Sequence, residues 1–144
     1  EELVQSGYIH KRPSGNKKVK ITSRPFHYIS SDGFDMYVGK NNLQNDELTF
    51  QFAKGGDWWF HAKGAPGSHV IVQTNGQKLP DRTYEEAARL AAYYSSNRNA
   101  EKVEIDYIEK KHVKKPNGAK PGFVVYYTNY SMMIDSDISG IRQA

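Results

Sequence analysis

Apolar and polar positions alternate with a period of two through much of this chain, and that period predicts strands. Phe26–Ser30 and Phe34–Val38 are two such runs, and Asp32-Gly33 between them is a strong hairpin signal. Trp58–Ala62 and Val70–Val72 make a second pair around Pro66-Gly67. Lys102–Val113 alternates well enough for a long strand, Phe123–Tyr127 for a last one, and Met132–Ile134 for a further one. A helical period shows in two places. Asp81 or Thr83 caps a helix reaching about Ser96, with Ala87, Ala88, Leu90, Ala91 and Tyr94 as its apolar stripe. Asn45 or Asp46 caps a shorter one over about 46–53, with Leu48 and Phe52 on one face, ended by Gly55-Gly56. Lys11–Lys20, Gly39–Asp46 and Lys114–Gly122 read as polar loops, and Glu1–Ser6 as a helix tail capped by Gly7. The expected fold is α+β: mostly antiparallel β-sheet, one long helix (about 81–96) and a short one (about 46–53). Residues 8–144 are expected to form one domain.

The segment Asp57-Trp58-Trp59-Phe60-His61-Ala62-Lys63-Gly64-Ala65-Pro66-Gly67-Ser68-His69-Val70-Ile71-Val72 carries both tryptophans and two of the five histidines. Pro-Gly seeds a reversal, since Pro fixes φ and Gly tolerates positive φ. A hairpin centred near Ala65 sets His61 opposite His69, Trp59 opposite Ile71 and Asp57 opposite Gln73, all on one face. Trp58, Phe60, Val70 and Val72 take the other face, which is apolar enough to be core. The first face mixes an indole, two imidazoles and a carboxylate, more polar chemistry than a purely structural hairpin needs.

Composition narrows the class. The 144 residues fit one domain with a proper core, and the 38% hydrophobic content, low for a globular domain, is rich in aromatics: ten Tyr, six Phe and two Trp. Twenty basic against 16 acidic residues give a net charge of +4, which favours a polyanionic partner without demanding one. There is no cysteine, so disulfides, thiolate metal sites and cysteine nucleophiles are excluded. No apolar run approaches a membrane-spanning helix, nothing near the start has a signal-peptide pattern, and the first residue is Glu1 rather than Met, so the chain is expected to be part of something longer.

Several features carry candidate chemistry. His61, His69 and Asp57 suggest a transition metal, but Asp57 lies two pairs along the strands from the imidazoles, and two His alone make a poor site. The same side chains fit the edge of a core, or a stacking surface for unpaired bases with Lys63 meeting phosphate. The run from Lys110 to Gly122 holds five lysines and no acid, interrupted by Pro116, Gly118 and Pro121. It is either a solvated loop or a stiffened basic patch able to track phosphates, with Lys17, Lys18 and Lys20 as a second cluster. Gly39-Lys40 before a helix start has the flavour of a phosphate loop but lacks the Walker spacing; a polar turn with Asx caps fits equally well. Ser68 points away from His69 in this register, and no Gly-x-Ser-x-Gly elbow occurs, so no catalytic constellation is expected.

Three stretches in order resemble a known family. Asp32-Gly33-Phe34 with Val38-Gly39-Lys40-Asn41-Asn42-Leu43-Gln44-Asn45-Asp46-Glu47-Leu48-Thr49 resembles the first signature of the C-terminal RNA-binding domain called NFACT-R. Asp57-Trp58-Trp59-Phe60-His61-Ala62-Lys63 with Pro66-Gly67-Ser68-His69-Val70-Ile71 is similar to its second. Lys114-Lys115-Pro116-Asn117-Gly118-Ala119-Lys120-Pro121-Gly122 with Val124-Val125 is similar to its third, and the resemblance covers roughly Tyr8 to Tyr130. The family includes RqcH, NEMF and proteins called fibronectin-binding protein A. The resemblance implies a noncatalytic module of a cytoplasmic ribosome-associated quality control factor, without cofactor or metal. Its implied partners are tRNA and a large ribosomal subunit obstructed by peptidyl-tRNA, where a stalled chain gains a C-terminal tail; it implies no membrane. The fibronectin name adds a protein ligand, and residues 1–7 would be the end of a coiled coil. Tailing and tRNA selection belong to parts of the family architecture outside this sequence.

Together the two lines select an RNA-binding set: Lys40, Lys63, Lys114, Lys115 and Lys120 on phosphate; Asn41 and Asn42 beside them; Trp59 and His61 for stacking or packing; and His69. Asp57 is expected to orient His61 or Lys63 rather than touch RNA. Two other functions stay in view: a fibronectin-binding adhesion module, and a metal-dependent nuclease or hydrolase at His61 and His69.

Overall fold

Continuous apolar runs such as Val70-Ile71-Val72 suit a strand buried on both faces, and that requirement organises the molecule. The computed structural model describes residues 24–144, together with two short antiparallel strands, β1 (Tyr8–His10) and β2 (Lys18–Lys20). The helix tail at 1–7 and Lys17 lie outside the described residues, as do the side chains of Lys18 and Lys20. Lys18–Lys20, expected within a loop, is the second strand of that ribbon.

The main sheet contains β3 (Phe26–Ile29), β4 (Asp35–Val38), β5 (Trp58–Ala62), β6 (Val70–Val72), β7 (Val103–Glu109), β8 (Tyr130–Ile134) and β9 (Arg142–Gln143). Its seven strands run in the order β8-β7-β5-β6-β4-β3-β9, every neighbouring pair antiparallel. The Asp32-Gly33 hairpin forms as expected, with Gly33 at φ 89. Trp59 pairs with Ile71, which is the register expected for the tryptophan hairpin.

Two short helices, α1 (Asn42–Glu47) and α2 (Asp81–Tyr93), complete an α+β architecture. The second has 13 residues rather than the longer span to Ser96. Beyond Tyr93 the backbone leaves the helix to bond the Pro66–Ser68 turn, with Ser68 N donating to Tyr94 O at 3.0 Å and Ser96 N to Pro66 O at 2.9 Å. Pro80 occupies its N-cap. Thr83, expected as a cap, instead donates to Ser30 Oγ, 2.9 Å away, and lies equally close to Asp32 Oδ2. Glu86, buried in α2, accepts both the N–H and the hydroxyl of Ser31, so the β3–β4 turn is tied to the helix.

Helix α1 starts four residues before the expected position, because Asn41 rather than Asn45 or Asp46 caps it, its Oδ1 accepting Gln44 N at 2.8 Å. It continues as a π-helical turn over Leu48–Phe52. Phe123–Tyr127 is not a strand of the sheet; it makes a single bridge, Lys114 to Val125. Its alternation has another cause. Val124 and Tyr126 face inward onto the sheet while Phe123 and Tyr127 face water.

The sheet therefore has two cores. On one face Phe60, Val70, Val72, Met36 and Ile105 meet Ala87, Leu90 and Ala91 of α2, whose small side chains permit close approach. On the other, Trp59, Ile71 and Ile108 meet Leu48 and Phe52 of the π-helical turn and Val113, with Val124 and Tyr126 closing over them. Trp59 is fully buried at the centre of this second core. Trp59→Ala should cost about 3–5 kcal/mol, read as a lower urea midpoint at unchanged secondary structure. An unchanged midpoint would mean that this face is not a packed core.

Candidate nucleic-acid interface

The segment Val113–Tyr126, called here the strap, brings the lysine-rich run across the second core. Few of its backbone groups pair with one another, so it must be held from outside, and one holder is Asp46. One Asp46 oxygen accepts Gly122 N at 2.9 Å; the other is 3.0 Å from Lys115 Nζ. The same ammonium donates to the carbonyls of Lys120 and, at 3.1 Å, Phe123. Gly122, at φ +87, has no room for a Cβ, which would fall 2.5 Å from Asn42 Oδ1. The start of α1 and the far end of the strap are thus in contact.

This contact sorts the expected site residues. Lys115 is engaged internally, its side chain only 26% exposed. Lys114 and Lys120 project from the same strap into water. Lys40 is exposed beside α1, its ammonium 4.8 Å above the Phe26 ring. Asn41 is the helix cap, and Asn42 stands against Gly122. Lys63 lies apart, at the turn after β5, 3.8 Å from Glu104.

The imidazoles belong to the interior. His69 is buried at 1% exposure, its Nδ1 2.8 Å from Thr49 Oγ1 and its backbone N–H donating to Asn45 Oδ1 at 3.0 Å. Gly39 N donates to His69 O, and a Cβ on Gly39 would lie 2.0 Å from Asn45 Oδ1, so only glycine fits there. Burial lowers the His69 pKa to about 3, His61 adding in the same direction and the Gly122 carbonyl partly offsetting it. His61 is half-buried, stacked on Trp59 with centroids 5.7 Å apart and edge-on to His69 at 5.5 Å; its pKa is also lowered, chiefly by desolvation. Trp59 is covered by the Tyr126 ring at 4.8 Å, and its indole N–H has no acceptor among the described residues, so packing alone holds it. A base cannot reach the rings of Trp59 or His69 in this arrangement. Trp59 packs against the strap through Tyr126.

Asp57 does not orient His61 or Lys63. It is buried and accepts Lys54 N at 2.8 Å and Thr74 N at 3.1 Å, joining the two ends of the tryptophan hairpin. Ser68 Oγ donates to the Gly39 carbonyl, away from His69. Among the described residues no group of three or more His, Asp or Glu is placed to hold a metal ion. The N–H groups entering α1 are taken by Asn41 Oδ1 and by Gln44 Oε1, which accepts Lys40 N at 2.8 Å; the Asx-capped turn is the reading that holds.

Sequence reasoning missed Asp46 as the strap's anchor, Thr49 as the partner of His69, and Asp106, which accepts Tyr126 Oη at 2.7 Å and Ser131 Oγ at 2.9 Å. One signal was available: Asn45 and Thr49 share the helix face of Leu48 and Phe52, so polar groups were bound for a buried surface. Nothing local links residue 46 to 122 or 106 to 126.

The geometry defines a class: an α+β domain whose basic strap is clasped to a short helix so that its remaining lysines face outward. Residues 24–128 match the family described as NFACT protein RNA binding domain. The chain belongs to that family, which is defined by binding rather than catalysis. It is 48% identical over 127 residues to the Rqc2 homolog RqcH of Streptococcus suis (strain 05ZYH33), covering 88% of this chain and 22% of that protein. The Rqc2 homolog RqcH of Bacillus subtilis (strain 168) is 42% identical over 139 residues, 95% of this chain and 24% of that one. The chain thus spans about a quarter of the length of these curated relatives. Among solved structures, the C-terminal part of the fibronectin/fibrinogen-binding protein from Streptococcus suis superposes with a TM-score of 0.79 at 42% identity, over 98% of this chain and 57% of that one.

Two outcomes follow from the buried groups. His69 stays neutral in the fold down to about pH 3, whereas unfolded it takes a proton near pH 6.5. Stability is therefore unaffected by His69 above pH 6.5 and falls below it, by about 1.4 kcal/mol per pH unit at most. Urea midpoints should drop from pH 6.5 to 4.5, and His69→Gln should flatten that drop; equal slopes would mean that His69 is not held neutral. Asp46→Ala should speed amide exchange at Gly122 about tenfold or more at neutral pH, while exchange in α2 stays unchanged.

Proposed function

We propose that this chain is a noncatalytic domain that binds tRNA or rRNA within a ribosome-associated quality control factor. The whole factor would act in the cytoplasm, bind large ribosomal subunits obstructed by peptidyl-tRNA, and support C-terminal tailing of stalled chains. Membership in the RNA-binding family and likeness to proteins named Rqc2 homolog RqcH support this reading. The observation that carries it is the division of labour on the strap: Lys115 is consumed by Asp46 while Lys114 and Lys120 are held outward by a segment that cannot swing away. Fixed cations meet a phosphate backbone with less entropy to lose than cations on a free tail. Lys40 and Lys63 extend the phosphate-binding surface, Asn41 and Asn42 shape the α1 side, and Trp59, His61 and His69 form the base on which the strap rests.

Binding to tRNA should weaken with salt. The combined Lys114→Gln and Lys120→Gln variant should reduce the slope of log affinity against log salt by about 0.7 for each single-strand phosphate that the two lysines neutralise. An unchanged slope would remove the strap from the RNA face. Lys115→Gln should act differently, lowering stability and disturbing affinity only as the strap loosens.

A second reading rests on the structural neighbour, which is named for fibronectin and fibrinogen binding. If the chain is an adhesion module, it should bind immobilised fibronectin in moderate salt and show no affinity for tRNA or large subunits.

A further inference from the structure

Trp59, first selected for base stacking, is buried and His61 half-buried, yet the surface carries large exposed aromatic side chains. Tyr127 is 74% exposed and Tyr130 58%. Single exposed aromatics are ordinary, but these flank Thr128, a β-branched residue at φ 59. Backbone strain of that kind persists only where the surrounding structure fixes it, and it concentrates at ligand sites. Here Tyr130 is fixed by pairing with Tyr107 in the sheet, its ring 5.9 Å from Trp58. Tyr127, Thr128 and Tyr130 border one cleft.

An open cleft of about 850 Å³ is lined by Trp58, Tyr127 and Tyr130 together with Lys111, His112 and Lys114. Glu109 also borders it, but the Lys111 ammonium stands 3.5 Å from its carboxylate. Beyond Tyr130 and Trp58 the next hollow is lined by Asp81 and Glu85. That side repels phosphate, so a polyanion crossing the aromatic rings is confined to the lysine side.

We propose that this cleft takes an unpaired RNA base, stacked on Tyr127 and Tyr130 over Trp58, with the flanking phosphate on Lys111 and Lys114. Aromatic faces accept any base and basic neighbours track the backbone, so the cleft recognises single-stranded RNA without strong sequence preference. The assignment rests on the RNA-binding reading above and adds to it a stacking site separate from the tryptophan hairpin's second face. It replaces the buried Trp59 and His69 as the place where bases are held.

The test is a titration of the 144-residue chain with an oligouridylate of about 12 nucleotides and with an abasic ribose-phosphate oligomer of equal length. The unsubstituted chain should bind the oligouridylate about tenfold more tightly or better. Tyr127→Ala should remove about fivefold or more of that advantage and leave the abasic affinity unchanged, while Tyr127→Phe should retain it. Tyr130→Ala should act likewise; Tyr127, being exposed, keeps the test sound if the β8 variant does not fold. Lys111→Gln should weaken both ligands. Equal affinity for the two oligomers, or an oligouridylate affinity within about twofold in Tyr127→Ala, overturns the cleft and leaves the RNA-binding reading standing. Failure of the unsubstituted chain to bind either oligomer or tRNA overturns both.

Discussion

One carboxylate, Asp46, determines how the second face of the sheet is closed. A sheet whose central strands are apolar on both sides must be covered twice. On the first side a regular helix does this, satisfying its own backbone and contributing alanines to the contact. On the second side the cover is a six-residue helix, a π-helical turn and an irregular strap. Such a cover has little internal hydrogen bonding, and without an external tie the Trp59 core would be roofed by a loop free to leave. Asp46 supplies a tie through Gly122 and Lys115, with Asp106 holding Tyr126 Oη further along, and its position in α1 is fixed in turn by Asn41 capping and by Asn45 bonding His69.

What was legible in the sequence follows from the range of the physics involved. The β3–β4 hairpin and the register at Trp59 rest on neighbours in the chain, and both were readable from alternation and turn residues. Phe123–Tyr127 alternates as a strand does, because one side faces apolar atoms and the other water, but alternation reports burial of one face rather than membership of a sheet. The start of α1 was misplaced because Asn41, Asn45 and Asp46 are all good caps, and only tertiary demand for Asn45 and Asp46 leaves the cap to Asn41. The polar face of the tryptophan hairpin looked like a surface because imidazoles and carboxylates usually are exposed. Asn45, Thr49 and backbone groups distant in sequence satisfy them inside. For the candidate site, the density of lysines singled out the strap, while the internal contact of Lys115 is with a carboxylate 69 positions earlier in the chain and had no local mark.

The division between structural and available groups has a functional meaning. The expected stacking set was Trp59, His61 and His69, yet Trp59 and His69 are buried, with Tyr126 of the strap over the indole. In the proposed function, charge for a polyanion comes from the exposed lysines of the strap, and the exposed aromatic surface lies further along, between Tyr126 and β8. A rigid base beneath adaptable side chains is a common arrangement for binding loops, since precision resides in the scaffold and chemistry in the segment it presents.

The pairing of β9 with β3 has a temporal consequence. Arg142 and Gln143 lie against Ile29 and Tyr28, and Ala144 N donates to His27 O, so an early strand of the described chain finds its outer neighbour only in the last residues. During synthesis β3 can join β4 and the tryptophan hairpin soon after they emerge, but its free hydrogen-bonding edge stays open until the far end of this segment is released. For that interval the nascent protein exposes an unpaired strand edge beside a nearly complete sheet, a state prone to pairing with other chains. The two-residue β9 therefore matters less to the core than to the strand edge it covers.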